Sequence, residues 1–436
     1  MKILVIGSGG REHALVWALS QSDDAGANHQ PPQLYGFPGS AAIHRIATRV
    51  QGVSDNSWEK LAEFAVREKI DLTLCGPEAP LATGIADLFR QKGLVFLGPS
   101  RAAAQLESSK VFAKEFMARH GIPTARFTAF EEFSAAERFL NHPVFPYPLV
   151  IKADGLAAGK GVAVCPNEAA ARTFLEKIMV AHDFGAAGHR VVMEECLEGE
   201  ELSFIALCDR NHFLSLPPAQ DHKRLFQGDC GPNTGGMGAY SWDGLFSVEV
   251  YRAVEEKIIR PTLEGMAEEG NSYNGFLYAG IMVTARGPMV LEYNVRMGDP
   301  EAQPLLMRLH GSLAETFTRA ATGNLHGATL DRNAHPAVCV VLAAEGYPEK
   351  PIQGDKITGL EEVREMEGVQ IFHSGTILSP DGWETTGGRV LGITARGDSL
   401  HHACQKAYRA VDRIRFRGMQ YRKDIGARGL AREDWR

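Results

Sequence analysis

Short apolar runs closed by glycine recur through the first part of the chain. Lys2-Ile-Leu-Val-Ile is followed by Gly7, Asp71–Cys75 by Gly76, and Leu94–Leu97 by Gly98. Runs that are apolar throughout, rather than alternating, predict strands buried on both faces, and the helical spacing between them predicts crossovers. Residues up to about 105 therefore read as one doubly wound parallel-sheet unit. From Ser109 a helix carrying Lys110 is predicted, ending near His120-Gly121-Ile122-Pro123. Residues 124–193 predict strands at Leu149–Ala153, Val162–Cys165 and Val191–Glu194 and a helix near Glu168–Val180, a small α+β lobe. A strand at Leu202–Leu207 follows. The segment 228–241 is so rich in glycine that it reads as a mobile loop, and strands at Gly280–Thr284 and Met289–Asn294 come after it. Past about 332 the pattern changes to short strands (Val338–Ala343, Ile371–Ser374, Val390–Thr394) and a helix over Leu400–Ile414, which read as a separate compact domain. The expected fold is α/β and α+β multidomain. Its units are a doubly wound N-terminal unit at 1–107, a central unit at 108–330 with the small lobe about 124–193, and a small β-rich unit at 331–436. There is no internal repeat and no low-complexity segment.

A length of 436 residues agrees with about three domains. Hydrophobic content of 44% and charged content of 23% are those of a soluble globular protein. The net charge of −7 argues against a nucleic-acid partner held by bulk charge, while leaving room for a local basic pocket. No apolar run approaches the roughly 20 residues that span a bilayer, so no membrane partner is expected. The Ile3–Ile6 run is too short for a signal peptide. Seven scattered cysteines without a Cys-x-x-Cys pair fit a reducing cytoplasm and argue against a disulfide scaffold or a zinc ribbon.

The densest chemistry lies in Leu149–Val162, where an apolar strand delivers Lys152 and a small-residue loop carries Lys160 between Gly159 and Gly161. Glycines at 155, 159 and 161 let backbone N–H groups approach phosphate oxygens. The spacing is not that of a P-loop, and Gly161 stands where a magnesium-binding hydroxyl would be. Two solvated lysines on a hairpin turn would look the same locally, so a metal site elsewhere becomes the discriminating feature. Glu292, Asn294 and Arg296 share one face of a predicted strand while Tyr293 and Val295 take the other. A carboxylate with a carboxamide oxygen is a hard-oxygen pair suited to Mg²⁺ or Mn²⁺, and Arg296 can hold an anion in bidentate fashion. Glu194-Glu195-Cys196-Leu197, with Glu201 beyond, can offer a strand end to an adenine and a carboxylate to a ribose, although acids at a strand end are commonly just solvated. Asp221-His222-Lys223-Arg224 precedes the glycine-rich segment. Gly7-Ser8-Gly9-Gly10-Arg11-Glu12-His13 follows the first strand, but Glu12 replaces the third glycine of a dinucleotide fingerprint. The turn therefore reads as an anion-binding helix start. No Ser/His/Asp or Cys/His nucleophile arrangement stands out.

In order along the chain, these segments resemble the phosphoribosylamine–glycine ligases, a family of ATP-grasp enzymes. The resemblance rests on Val5–His13, Gly76-Pro77-Glu78-Ala79-Pro80-Leu81, Ile151–Val162, Asp221–Arg224, Gly231–Ser241, Gly298-Asp299-Pro300-Glu301 and Gly387–Leu391, and it covers essentially the whole chain. It implies ATP-grasp lobes in the centre and the ligation of glycine to 5-phosphoribosylamine through glycyl phosphate in de novo purine synthesis. It further implies that Lys110 and Lys152 contact the ATP phosphates beneath the loop carrying Gly155, Gly159, Lys160 and Gly161. Glu194, Glu195 and Leu197 would hold the adenine and Glu201 the ribose. Glu292 and Asn294 would bind Mg²⁺ or Mn²⁺. Arg296, Asp299, Asp221 and Asn233 would be catalytic, with Gly9, Gly10, Arg11, Pro77, Glu78, Gly235 and Gly236 against the substrates. Departures from the family pattern fall at Cys196, Trp242, Val295, Met297 and Ala302, and none removes a charge or a metal ligand; Cys196 bears on adenine packing. A different carboxylate–amine ligase and a silent nucleotide-binding module are the alternatives, the second opposed by intact Lys152, Glu292 and Asn294. A monomer is expected, with a weak homodimer as the alternative, and no fused purine-pathway activity.

Overall fold

Ile3, Leu4, Val5 and Ile6 are all buried in the strand Lys2–Gly7, the central strand of a five-stranded sheet. The chain runs outward from it through parallel strands Gln33–Pro38 and Thr48–Arg49, then to its other side through Leu72–Cys75 and Phe96–Leu97. That reversal puts a switch-point crevice at the ends of Lys2–Gly7 and Leu72–Cys75, where open α/β sheets bind ligands. The structure, a computed structural model, describes residues 1–22, 31–55, 57–156 and 161–433.

The small lobe is a four-stranded antiparallel sheet in the order Phe127–Phe130, Val191–Glu195, Leu149–Ala153, Val162–Cys165. Helices Phe133–Asn141 and Glu168–Met179 cover it, and Leu149, Ile151, Leu175, Ile178 and Met193 form its own core. The strand Phe127–Phe130 was not expected; its residues are only half-buried, so no clean apolar run marks it.

The central sheet contains nine strands. Its main path runs Gly287–Asn294, Gly275–Thr284, Glu200–Asp209, Ala219–Asp221, Gly238–Ser241, Ala337–Ala343, Arg389–Arg396, Val369–His373. Gly238–Ser241 pairs with Ala337–Ala343, so the C-terminal strands extend this sheet instead of closing one of their own. The pattern past 332 gives no hint of that pairing, because strand periodicity shows a face and not a neighbour. The glycine-rich segment is also more structured than its composition suggests. Arg224–Phe226 and Cys230–Asn233 form a hairpin whose turn, at Gly228 and Asp229, ties to Asp424 and Arg422 near the C-terminus.

Candidate active site

The first crevice is filled from within. Glu12, in the first turn of helix Gly10–Ser20, accepts from Gly9 N–H at 2.7 Å and from Arg11 Nε at 2.6 Å. A Cβ at Gly76 would stand 1.9 Å from Glu12 Oε1, so the carboxylate occupies the space that glycine opens. The anion seated at the helix start is therefore the chain's own, which explains why the third fingerprint glycine is absent. Arg11 is buried and also donates to Met297 O at 3.2 Å, binding the turn to the central unit. Gly10 lies against Ser374 and Gln303. Pro77 caps the short helix that begins at Glu78.

The second part lies between the small lobe and the strand Gly287–Asn294. Lys152 donates to Leu291 O at 2.9 Å across the gap and pairs with Glu194. Lys114 pairs with the other oxygen of Glu194. Lys110 donates to Gly155 O at 2.9 Å. Gly161 O accepts from Ala153 N–H at 2.8 Å; Gly159 and Lys160 lie outside the described residues. Asp154 accepts from Ser109 and Val111 N–H and pairs with Arg190, which fixes the start of helix Lys110–Arg119 to the small lobe. Glu195 turns outward to Arg126 and Arg286, and Leu197 is buried beside Ala125 and Met289.

Glu292 is the centre of the charges. Burial alone would raise its pKa, but Lys223, Lys152, Lys110 and Arg296 outweigh that and hold it at about 2. Lys223 bridges Glu201 and Glu292, the latter at 3.7 Å. The strand alternation places the neighbours as expected: Tyr293 and Val295 are buried, while Asn294 Oδ1 accepts from Arg296 at 3.0 Å. Arg296 is also gripped by Glu78 at 3.0 Å and Glu107 at 2.7 Å. A charged carboxylate beside a carboxamide oxygen is a donor set that fits Mg²⁺ or Mn²⁺, which completes its shell with phosphates and water. Among the described residues no group of three or more His, Cys, Asp or Glu side chains is clustered for a metal.

Asp299 joins these parts. It pairs with Arg389 at 3.0 Å and accepts from Gln303 at 2.9 Å, while Arg389 also donates to Gly235 O at 2.6 Å. Gly235 N–H in turn donates to Tyr347 at 2.9 Å. At Gly236, with φ +106°, a Cβ would lie 2.4 Å from Pro300 and 2.8 Å from Asp221 Oδ1, so the segment passes directly over both acid-bearing turns. Burial and the nearby Glu301 push the Asp221 carboxyl well up, against the pull of Lys223. Asn233 sits exposed at the end of the hairpin.

Models of phosphoribosylglycinamide synthetase match the chain in three consecutive parts: the N domain over residues 1–107, the ATP-grasp (A) domain over 108–302 and the C domain over 337–428. This chain belongs to the phosphoribosylglycinamide synthetase family. It is 48% identical to the phosphoribosylamine–glycine ligase of Ralstonia nicotianae over 433 residues, 99% of this chain and 100% of the relative. The Pseudomonas aeruginosa phosphoribosylamine–glycine ligase is 47% identical over 434 residues, 99% of each chain. The crystal structure of the Thermotoga maritima phosphoribosylamine–glycine ligase superposes with a TM-score of 0.82 at 33% identity, covering 98% of this chain and 100% of that one. The biotin carboxylase domain of the Hydrogenobacter thermophilus 2-oxoglutarate carboxylase shares the fold, with a TM-score of 0.71 at 17% identity over 96% and 91% of the two chains. As a member of the phosphoribosylglycinamide synthetase family, the chain is an ATP-grasp ligase.

Several residues around this family site escape a reading by motif. Glu107 and Lys114 come from helices in which they look like ordinary surface charges; Arg389 lies within the Gly387–Leu391 motif, but at the far end of the chain with nothing beside it to show its role. Glu301 lies within a motif but points into the core, accepting from Ser203 at 3.0 Å and Tyr278 at 2.7 Å. Burial would have been the signal: Glu107, Lys114 and Glu301 are all at most 9% exposed, and charges that deep require partners.

Proposed function

We propose that the chain joins glycine to 5-phosphoribosylamine with ATP, giving glycinamide ribonucleotide, ADP and phosphate in de novo purine biosynthesis. The observation that carries the assignment of residues is the convergence of Lys110, Lys152, Lys223 and Arg296 on one ionised carboxylate, Glu292. A triphosphate carries about four negative charges, and each close ion pair is worth about 4 kcal/mol at an effective dielectric near 20, so several cations are needed at once. Lys110 and Lys152 face the phosphates, under the loop carrying Gly155, Gly159, Lys160 and Gly161. The strand end at Glu194, Glu195 and Leu197 takes the adenine and Glu201 the ribose. Glu292 and Asn294 hold Mg²⁺ or Mn²⁺, which when bound neutralises phosphate charge.

A glycine carboxylate oxygen attacks the γ-phosphorus, and the bond to ADP breaks. The amine of phosphoribosylamine then attacks the acyl phosphate carbonyl; phosphate leaves with the C–O electron pair and the nitrogen loses a proton. Nothing in this sequence needs an enzyme nucleophile, so the residues act by positioning and charge. Arg296, fixed between Glu78 and Glu107, and Asp299, fixed by Arg389 and Gln303, flank the reacting carboxyl. Asp221, directly beneath Gly236, takes the proton of the attacking amine when ionised. Asn233, Gly235 and Gly236 cover the acyl phosphate against water. Gly9, Gly10, Arg11, Pro77 and Glu78 form the phosphoribosylamine wall. The chain works as a cytoplasmic monomer divided at about 107 and 330; among the described residues no helix is long and apolar enough to cross a membrane.

The test is phosphate release with each substrate omitted in turn. Release is expected only when ATP, glycine and phosphoribosylamine are all present. Release without either co-substrate, or equal rates with unrelated amines, overturns the proposal.

A further inference from the structure

Glu194 is 2% exposed and has two cations on its one carboxylate: Lys152 on Oε1 and Lys114 on Oε2. Both lysines are themselves buried, Lys114 at 2% and Lys152 at 5%. They differ in what else they touch. Lys152 reaches across the gap to a backbone carbonyl, Leu291 O, at the edge of the charged cleft. Lys114 instead donates to Thr124 Oγ1 at 2.7 Å, and Thr124 donates onward to Val290 O at 2.7 Å. Thr124 also bridges in parallel to Val290, where the small lobe leaves the central sheet. Lys114 is thus anchored on Glu194 and on Thr124, which is itself tied to Val290, and Lys152 is the ammonium at the cleft edge.

The charge balance gives this a purpose. A buried carboxylate stripped of its only cation costs several kcal/mol, so a lone Lys152–Glu194 pair would keep Lys152 in place. With Lys114 permanently on Oε2, Glu194 stays compensated when Lys152 turns to another anion. Burial draws the Lys114 ammonium down to about 8, against the pull of Glu194, which marks it as held by its partners and not by solvent.

We propose that Lys114 is a positioning residue for ATP: held by Thr124, it neutralises Glu194 and so frees the Lys152 ammonium for the triphosphate. This rests on the reading of Lys152 as a phosphate contact. The two ideas separate in a set of steady-state measurements on the full chain, with ATP, glycine and phosphoribosylamine varied one at a time. Lys152→Met tests the reading beneath: an unchanged KM for ATP removes it. Lys114→Met tests the proposal, with an expected rise of about tenfold in KM for ATP, which is about 1.4 kcal/mol, and a KM for glycine within about twofold. An ATP KM that does not move, or KM values for ATP and glycine that rise together, overturns it. The second arm uses Glu194→Gln, which has no charge to compensate. Adding Lys114→Met to that variant is expected to leave the ATP KM where Glu194→Gln put it. A further tenfold rise in the double variant means that Lys114 acts otherwise than through Glu194. Should Lys114→Met fail to fold, Lys114→Gln carries the same expectation, since it removes the charge while keeping a donor towards Thr124.

Discussion

Burial alone would raise the Glu292 carboxyl, but the cations of Lys223, Lys152, Lys110 and Arg296 outweigh it and favour the ionised form. Its pKa is lowered from the ordinary 4.5 to about 2. The stability this contributes is therefore complete above the ordinary value and is lost as the pH falls towards 2. Two consequences follow for Glu292→Gln. The variant loses the charged oxygen of the proposed metal pair, so the Mg²⁺ concentration for half-maximal activity is expected to rise by about tenfold or more. It also leaves the four cations facing one another, so urea unfolding without metal at neutral pH is expected to show a modest loss that shrinks as the pH approaches 2. An unmoved Mg²⁺ titration would count against the metal assignment whatever the stability shows. Arg296 illustrates the same point from the opposite sign: it donates to Glu78, Glu107, Asn294 and Met297 O, so its guanidinium is a fixed wall of the site.

At the scale of elements, the first helix depends on a single side chain. Glu12 satisfies Gly9 N–H and Arg11 together inside a crevice shaped by Gly7 and Gly76. Glu12→Ala leaves the buried Arg11 charge without its carboxylate partner and Gly9 N–H without an acceptor, at a cost of about 3–5 kcal/mol. Chemical denaturation checks this, and a loss below about 1 kcal/mol would show that water replaces the carboxylate without penalty. A glycine at 12, as in a dinucleotide fingerprint, is expected to be no better. Three strands of the first sheet were legible in the sequence because they are apolar throughout and run into glycine; Gln33–Pro38 and Thr48–Arg49 were not, the second being two exposed polar residues. The shared face of Glu292, Asn294 and Arg296 was legible because a period of two sorts them from Tyr293 and Val295. The hairpin Arg224–Phe226 and Cys230–Asn233 was not legible. Its strands are short and polar, and what orders them is Arg422 on Asp229 and Asp424 on Gly228 N–H, nearly two hundred residues away in the chain. Lys114, Glu107 and Arg389 stayed hidden for the same reason, since each earns its role only from elements that folding brings beside it.

On the scale of the whole molecule, the central sheet ignores the boundary that composition suggests. Gly238–Ser241 lies between Ala219–Asp221 and Ala337–Ala343, so the strand leaving the glycine-rich segment has a C-terminal strand as its neighbour. Val338, Val340, Leu342, Leu391 and Ile393 are buried in the same core as Leu202, Phe204 and Tyr240. The charges repeat the pattern: Asp299 is paired by Arg389, and Asp229 by Arg422. A chain cut after residue 330 therefore loses strand pairing, apolar cover and two paired cations, one of them buried, in one step. Burying a side chain of this kind contributes about 1.5–3 kcal/mol, and five are named here, so the loss exceeds the 5–15 kcal/mol by which a domain is commonly stable at the low end of that range. The expected outcome is that residues 1–330 show no cooperative unfolding transition by circular dichroism and no ligase activity, even when residues 331–436 are supplied in excess as a separate chain. A soluble 1–330 that unfolds cooperatively and binds ATP as the full chain does would show that the central unit closes its own core, and that the shared sheet is an addition to it and not its foundation.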